Sequence, residues 1–131
     1  MEQIVKKFGD FLKQKRVEKM ITLRDMSEKL EISLSFLCDI ENNRRKPLDA
    51  EKLQIIIKVL NLSTDDANTL YDLAGRDNGE KVPADIEKLF MYTKIGDMAR
   101  LALRKTNSGE ITEDDWKSFI RDKLEGGSND D

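Results

Sequence analysis

Apolar side chains recur at helical spacing along the whole of this 131-residue chain, and this pattern restricts the fold more than any other feature. The clearest segment runs from residue 53 to residue 60, where four apolar residues fall on one side of a helix: Leu53, Ile56, Ile57 and Leu60. We find no two-residue alternation of the kind that indicates a half-buried strand. The sequence therefore predicts an all-α fold of about eight short helices.

Capping residues divide the N-terminal part of this pattern into five helices. The first is expected to end near Lys19 and is indicated by three apolar residues four apart: Ile4, Phe8 and Leu12. Small polar residues precede each of the next four apolar stripes, as N-caps do: Thr22, Ser33, Asp49 and Ser63. We expect the third helix to end at Asn42 and Asn43 and the fifth at Gly75, since these residue types tolerate the left-handed backbone that follows many helices.

A polar stretch separates these helices from the rest of the chain. It predicts a domain at residues 1–76, a linker at 77–82, a C-terminal helical segment at 83–125 and a disordered tail at 126–131.

The C-terminal segment is expected to hold three helices. The first runs through Ile86, the second starts at Asp97, and the third starts at Thr112, with Asp115 completing a capping box. The last helix carries an apolar stripe of Trp116, Phe119 and Ile120. Ile111, just before this helix, has the spacing to pack on Trp116 as a hydrophobic staple. So short a segment is marginal alone, which implies that it packs on the first domain, on a second copy or on a partner.

Composition excludes several classes of function. The chain has no histidine, the commonest general base and metal ligand, and its single cysteine, Cys38, fits a reducing cytosol. No apolar run approaches a membrane span, and the N-terminus lacks the apolar stretch of a signal peptide. We find no nucleophile–base pair, glycine-rich phosphate loop or metal-spaced cluster, so we expect no enzyme activity, no cofactor, no metal site and a cytoplasmic location.

Charge is distributed unevenly. Residues 1–60 carry 13 cations and 10 anions, whereas residues 61–131 carry 10 cations and 16 anions. Within the first half, three consecutive cations follow the third helix: Arg44, Arg45 and Lys46. Such a run is often a solvated loop. Here it follows two short helices joined by a tight turn, and in a helix-turn-helix such cations bind the phosphates beside the recognition helix.

The segment TLRDMSEKLEISLSFLCDIENNRRKP, residues 22–47, resembles the helix-turn-helix of the Cro and lambda-repressor-like family, also called the XRE group. The resemblance extends over five helices, from residue 5 to about residue 74. Ser27 matches the family's small residue where the two helices cross, and Ile32 matches the apolar residue after the turn. The recognition helix of the family carries an aromatic residue, a leucine, an isoleucine and a glutamate, which here are Phe36, Leu37, Ile40 and Glu41. Three positions depart from the family's pattern: Glu31 and Asn43 replace glycines, and Leu23 replaces a glutamine.

The resemblance implies a five-helix DNA-binding domain followed by a small C-terminal helical segment, and it implies roles for individual residues. Base contacts fall on four residues of the third helix: Ser33, Leu34, Ser35 and Asp39. Asp39 either accepts a hydrogen bond from a cytosine amino group or turns aside, since phosphate repels a carboxylate. Phosphate contacts fall on five residues: Thr22, Asn42, Arg44, Arg45 and Lys46. Arg16 is expected to form a buried ion pair with Glu41.

Two functions remain open at this point. One is a transcriptional regulator, expected to be a repressor, that binds a palindromic operator in double-stranded DNA as a homodimer. The other is an antitoxin or a phage or mobile-element immunity protein, whose residues 83–125 bind a toxin or a derepressing peptidase. Both use the same DNA-binding module, so the sequence of the module does not separate them.

Overall fold

The structure, a computed structural model, describes residues 7–79 and 81–125. These residues form helices and loops without strands, which confirms the predicted all-α fold. Eight helices follow one another in the described part of the chain: α1 (Phe8–Glu18), α2 (Leu23–Leu30), α3 (Leu34–Glu41), α4 (Ala50–Leu60), α5 (Thr64–Asp77), α6 (Glu87–Tyr92), α7 (Lys94–Asn107) and α8 (Glu113–Leu124). The chain divides into two compact units, the first ending at Glu87 and the second beginning at Lys88.

One hydrophobic core holds the first unit together. Every large apolar side chain that is buried in the described residues lies between Phe8 and Ala74. Helix α3 packs on α1 and α2, α4 packs on α2, and α5 packs on both α1 and α4. Leu12, Leu37 and Ile56 are fully buried at these crossings, and each contributes about 1.5–3 kcal/mol by leaving water. This core supports α3 from behind and leaves its opposite face exposed.

The predicted N-caps are confirmed by the backbone groups that they bind. The hydroxyls of Thr22 and Ser33 accept hydrogen bonds from the amides three residues on, both at 3.0 Å. Asp49, Ser63 and Thr112 cap α4, α5 and α8 in the same way. The capping box at α8 is also present, because Asp115 accepts from the amide of Thr112 at 2.9 Å.

Helices α1 to α4 are each followed by a left-handed residue that is not glycine. These residues have φ between 50° and 60°: Met20, Glu31, Asn43 and Asn61. At each position the next amide bonds back to the carbonyl five residues earlier, as in a Schellman motif. Asn43 and Glu31 thus supply the backbone geometry of the glycines that the family prefers there. Met20 and Asn61 were not anticipated from the sequence.

Three predicted helix boundaries are wrong. The helix expected to run through Ile86 begins only at Glu87, and Ile86 lies in the turn before it. Helix α5 does not stop at Gly75 but continues to Asp77. Gly75 instead permits a close approach, because a Cβ there would lie 2.7 Å from the carbonyl oxygen of Lys81. Helix α7 does not start at Asp97 but at Lys94, because the hydroxyl of Thr93 accepts from the amide of Gly96 at 2.9 Å and caps it.

Two other expectations fall on residues outside the described ranges. Ile4, which was expected in the first helix, lies before residue 7, and the tail expected at 126–131 lies beyond residue 125. Helix α1 itself begins at Phe8, whose amide donates to the Asp77 carboxylate at 2.8 Å. The end of α5 therefore holds the start of α1.

The second unit forms few buried apolar contacts of its own. Within its described residues, 88–125, the one buried residue is Gly96, and no large apolar side chain is buried. Helices α7 and α8 are joined by a hydrogen bond from the Trp116 indole to the Thr106 hydroxyl at 2.8 Å. Beside this bond lies an open apolar groove of about 650 Å³, defined by eight lining residues: Ile95, Met98, Ala99, Ala102, Ile111, Asp115, Trp116 and Phe119.

Candidate nucleic-acid interface

Helix α3 presents a buried face to the core and an exposed face to solvent. Leu37, Ile40 and Glu41 are buried, while Leu34 and Ser35 are exposed and Asp39 is half-buried. The exposed residues lie on the opposite side of the helix because side chains recur every 3.6 residues. Ser33 is also exposed, although its hydroxyl oxygen already accepts the Phe36 amide. All four residues expected to contact bases therefore lie on the accessible side of α3.

The turn after α3 brings its cationic residues back beside the helix. Asn43 has φ of 60°, its amide donates to the carbonyl of Ile40 at 3.0 Å, and the amide of Arg44 donates to the carbonyl of Asp39 at 2.8 Å. This Schellman geometry reverses the chain immediately after the last helical turn. The three cations therefore lie at the end of α3 rather than extending away from it.

Side-chain contacts with α1 fix this turn. The side-chain oxygen of Asn43 accepts from the amide of Gly9 at 2.9 Å, and its side-chain nitrogen donates to Asp10 at 3.0 Å. Gly9 has no Cβ, and a Cβ there would lie 2.3 Å from the carbonyl oxygen of Ile40. Glycine is thus required at position 9 because α1 begins directly against the end of α3.

A cationic cavity lies between the start of α1 and this turn. Its open volume is about 340 Å³, and four of its lining residues are cations: Lys7, Arg44, Arg45 and Lys46. All four are exposed. Lys7 was not anticipated from the sequence, since it lies 37 residues before Arg44 and only the fold places it beside the turn. The clustered charge makes this edge of the domain attractive to an anion such as a phosphate.

Comparison with known proteins agrees with this geometry. The family model described as a helix-turn-helix domain matches residues 9–76, which is just over half of the chain. The chain belongs to the Cro and lambda-repressor-like helix-turn-helix family. It is a DNA-binding regulator, and α2, the turn at Glu31 and α3 are its helix-turn-helix.

The chain is similar to a solved structure titled "SinR protein/SinI protein complex", with 23% sequence identity and a TM-score of 0.45, over 93% of this chain and 99% of that chain. No curated protein sequence matches the chain.

An ion pair lies behind the recognition helix of this helix-turn-helix regulator. The Arg16 guanidinium donates to the Glu41 carboxylate through Nε at 2.7 Å and through Nη2 at 3.0 Å. Its Nη1 donates to the carbonyl of Ile21 at 2.8 Å. Both side chains are buried, at 7% exposure for Arg16 and 5% for Glu41. The pair ties α1 to the end of α3, so it supports the exposed face of α3 without belonging to it.

The remaining sequence-predicted residues lie around the same surface. Thr22 is exposed at the start of α2, where its hydroxyl caps the helix. Asn42 is exposed at the end of α3, and its side-chain nitrogen donates to the carbonyl of Cys38 at 2.9 Å. Cys38 is half-buried. No sequence pattern indicated that Gly9, Asp10 and Asp77 would hold this surface in place, because their partners lie far away along the chain.

Neither membrane spans nor metal clusters were found in the described ranges. None of the helices there combines the length and apolar character that a bilayer crossing requires. Within the same ranges, no three His, Cys, Asp or Glu residues are grouped as a metal site would need.

Proposed function

We propose that this protein is a transcriptional repressor that binds a palindromic operator as a homodimer, with α3 of each copy in the major groove. The observation that carries the proposal is the exposed face of α3 together with the cationic turn that Asn43 fixes at its end. Base-reading groups and phosphate-binding groups then meet the duplex from one rigid surface. Two such helices in a dimer would enter major grooves about 34 Å apart.

The roles follow from position on this surface. Residues on the exposed side of α3 are assigned to base edges: Ser33, Leu34, Ser35 and Asp39. Residues around its rim are assigned to phosphates: Thr22, Asn42, Arg44, Arg45 and Lys46. Lys7 joins the second group because it lines the same cavity as the turn. The function is binding rather than catalysis, and we place the protein in the cytoplasm.

The phosphate contacts are tested by the salt dependence of binding. Lys46→Ala should weaken binding to all duplexes alike and reduce the slope of log K against log salt by about 0.9 per subunit, because one counterion fewer is released. Lys58→Ala, which removes an exposed cation from α4, is the matched control and should leave the slope unchanged. If the salt dependence of Lys46→Ala equalled that of the wild-type protein, Lys46 would not contact a phosphate.

The proposed dimer rests on the exposed apolar surface of the second unit. Most of the large apolar side chains of α7 and α8 remain about half exposed, including Phe119 at 56%. A second copy would cover them, and a closed two-fold pairing matches a two-fold operator. Residues 83–125 are therefore assigned to dimerisation.

Light scattering tests the dimer on the full chain. Phe119→Lys should convert a dimer into a monomer at micromolar concentration and weaken operator binding. Met20→Lys, which replaces a side chain that is 89% exposed on the first unit, should leave the dimer intact. A wild-type monomer would refute the dimer.

The apolar groove formed by α7 and α8 supports one alternative function. An antitoxin or immunity protein would use the groove of α7 and α8, about 650 Å³ in volume, to bind a toxin or a derepressing peptidase. Under that alternative the isolated protein is a monomer that still binds DNA, and Phe119→Lys leaves its DNA affinity unchanged. The light-scattering experiment therefore distinguishes the two functions.

A further inference from the structure

The Asp39 carboxylate is shared by two of the three cations of the turn. Its Oδ2 lies 3.5 Å from Nε of Arg45, and its Oδ1 lies 3.7 Å from Nη1 of Arg44. Asp39 is half-buried on α3, whereas both arginines are exposed. In the free protein this carboxylate therefore holds the guanidinium groups that the proposed function assigns to phosphates.

The fold imposes this arrangement. The reversal at Asn43 places Arg44 and Arg45 beside the last turn of α3, and the contacts of Asn43 with α1 prevent the reversal from opening. The Arg45 guanidinium also lies over the ring of Phe36, 4.5 Å from its centroid. Stacking on Phe36 and pairing with Asp39 together keep Arg45 close to the exposed face of α3.

When the protein binds DNA, the phosphates compete with Asp39 for Arg44 and Arg45. Phosphates attract both arginines, and each arginine that moves to a phosphate leaves the Asp39 carboxylate with less compensation. That carboxylate then faces the negative duplex, which is unfavourable at any sequence that offers it no donor. Among bases in the major groove, cytosine presents an amino donor that a carboxylate accepts.

We propose that Asp39 is a specificity-determining residue that retains Arg44 and Arg45 in the free protein and makes their transfer to phosphates favourable on DNA that presents a cytosine amino group to its carboxylate. The proposal rests on the proposed docking of α3 in the major groove. At a matching site the carboxylate exchanges two guanidinium partners for the cytosine donor. At other sites it loses those partners without replacement, and binding is weaker there.

The test compares Asp39→Asn with wild-type protein on two duplexes. One carries the sequence that the wild type selects from a randomised library, and the other is a scrambled version at the same ionic strength. Asp39→Asn should bind the scrambled duplex several-fold more tightly and the selected duplex more weakly. The ratio of the two affinities should fall by roughly 5- to 150-fold per half-site, the range that corresponds to one mismatched base pair. Its own selected sequence should show a weaker cytosine preference at one position per half-site, because an amide oxygen accepts a hydrogen bond less strongly than a carboxylate.

Two control variants isolate the cause. Asp72→Asn removes an equal charge from an exposed position on α5 and should change both affinities by the same factor. In an Arg44→Ala, Arg45→Ala background, adding Asp39→Asn should raise the affinity for scrambled DNA by a clearly smaller factor, because only the repulsion between the carboxylate and the phosphates is then removed. Circular dichroism of each variant verifies that it is folded.

Two outcomes overturn the proposal. One is an Asp39→Asn protein that keeps the wild-type affinity ratio or the wild-type cytosine preference. The other is an Asp39→Asn effect on scrambled DNA that is as large without the arginines as with them. Failure of the proposed function looks different, since the wild type would then select no sequence from the library.

Discussion

The buried pair of Arg16 and Glu41 tests how the first unit holds α3 in place. Arg16 donates two hydrogen bonds to Glu41 and a third to the carbonyl of Ile21. Since both side chains are almost fully buried, Arg16→Met or Glu41→Leu alone leaves one charge without its partner. Each single change should lower the free energy of unfolding by about 3–5 kcal/mol.

The double variant separates the interaction from the cost of each truncation. Arg16→Met with Glu41→Leu replaces both charges by apolar groups, so it should destabilise the unit by much less than the two single changes summed. The assay is urea unfolding followed by circular dichroism at 222 nm, with the four proteins forming a double-mutant cycle. The exposed pair of Lys117 and Glu113, 3.4 Å apart on α8, is the control and should show coupling close to zero.

Additive single effects would refute this reasoning. If the double variant lost the sum of both single losses within about 0.5 kcal/mol, the two residues would not be coupled. The stabilisation of α3 would then rest on apolar packing alone.

Three further perturbations follow from particular contacts. Gly9→Ala places a Cβ 2.3 Å from the carbonyl oxygen of Ile40 and should lower the free energy of unfolding by about 1–3 kcal/mol; an unchanged urea midpoint would contradict the close approach. Thr22→Ala removes the cap of α2 and should cost about 1 kcal/mol in the same assay, whereas Thr22→Ser should restore most of the loss. The hydrogen bond that the Lys15 ammonium donates to the Asp66 carboxylate is the main cause that raises the pKa of Lys15 above its ordinary value of 10.5. The pKa of Lys15 is therefore higher in the folded state than in the unfolded state. The stabilisation of the fold by the contact between Lys15 and Asp66 is then complete below pH 10.5 and is lost as pH rises through the folded-state pKa. Asp66→Asn should reduce the loss of free energy of unfolding with rising pH in the alkaline range. If this pH dependence equalled that of the wild type, the contact would not stabilise the fold.

Contacts between neighbouring residues could be predicted from the sequence. Thr22 and Ser33 were identified as caps because their acceptor hydroxyls serve amides only three residues on. The helical spacing of apolar residues likewise indicated which side of each helix in the first unit faces the core. These signals depend on helical geometry alone, so they require no knowledge of the tertiary fold.

Contacts between distant residues could not be predicted. Asn43 was expected to end α3, but its bonds to Gly9 and Asp10 join residues more than 30 positions apart. Gly75 was misinterpreted for the same reason: its lack of a Cβ serves the approach of Lys81 rather than the end of a helix. Glycine carries several meanings in a sequence, and only the packing of the chain selects among them.

The direction of Asp39 was also left open by the sequence. Its position on α3 was clear, but whether it faced a base or turned aside depended on the turn that follows the helix. The left-handed residue Asn43 reverses the chain there, so the arginines lie within reach of the carboxylate.

The proposal that α3 of each copy reads DNA is tested by selection from a randomised duplex library, followed by sequencing of the bound fraction. We expect an enriched motif of two inverted half-sites with centres about 10 base pairs apart, one for each α3 of a dimer. Enrichment of no motif, or of a single unrepeated half-site, would contradict a dimeric regulator that reads DNA through α3.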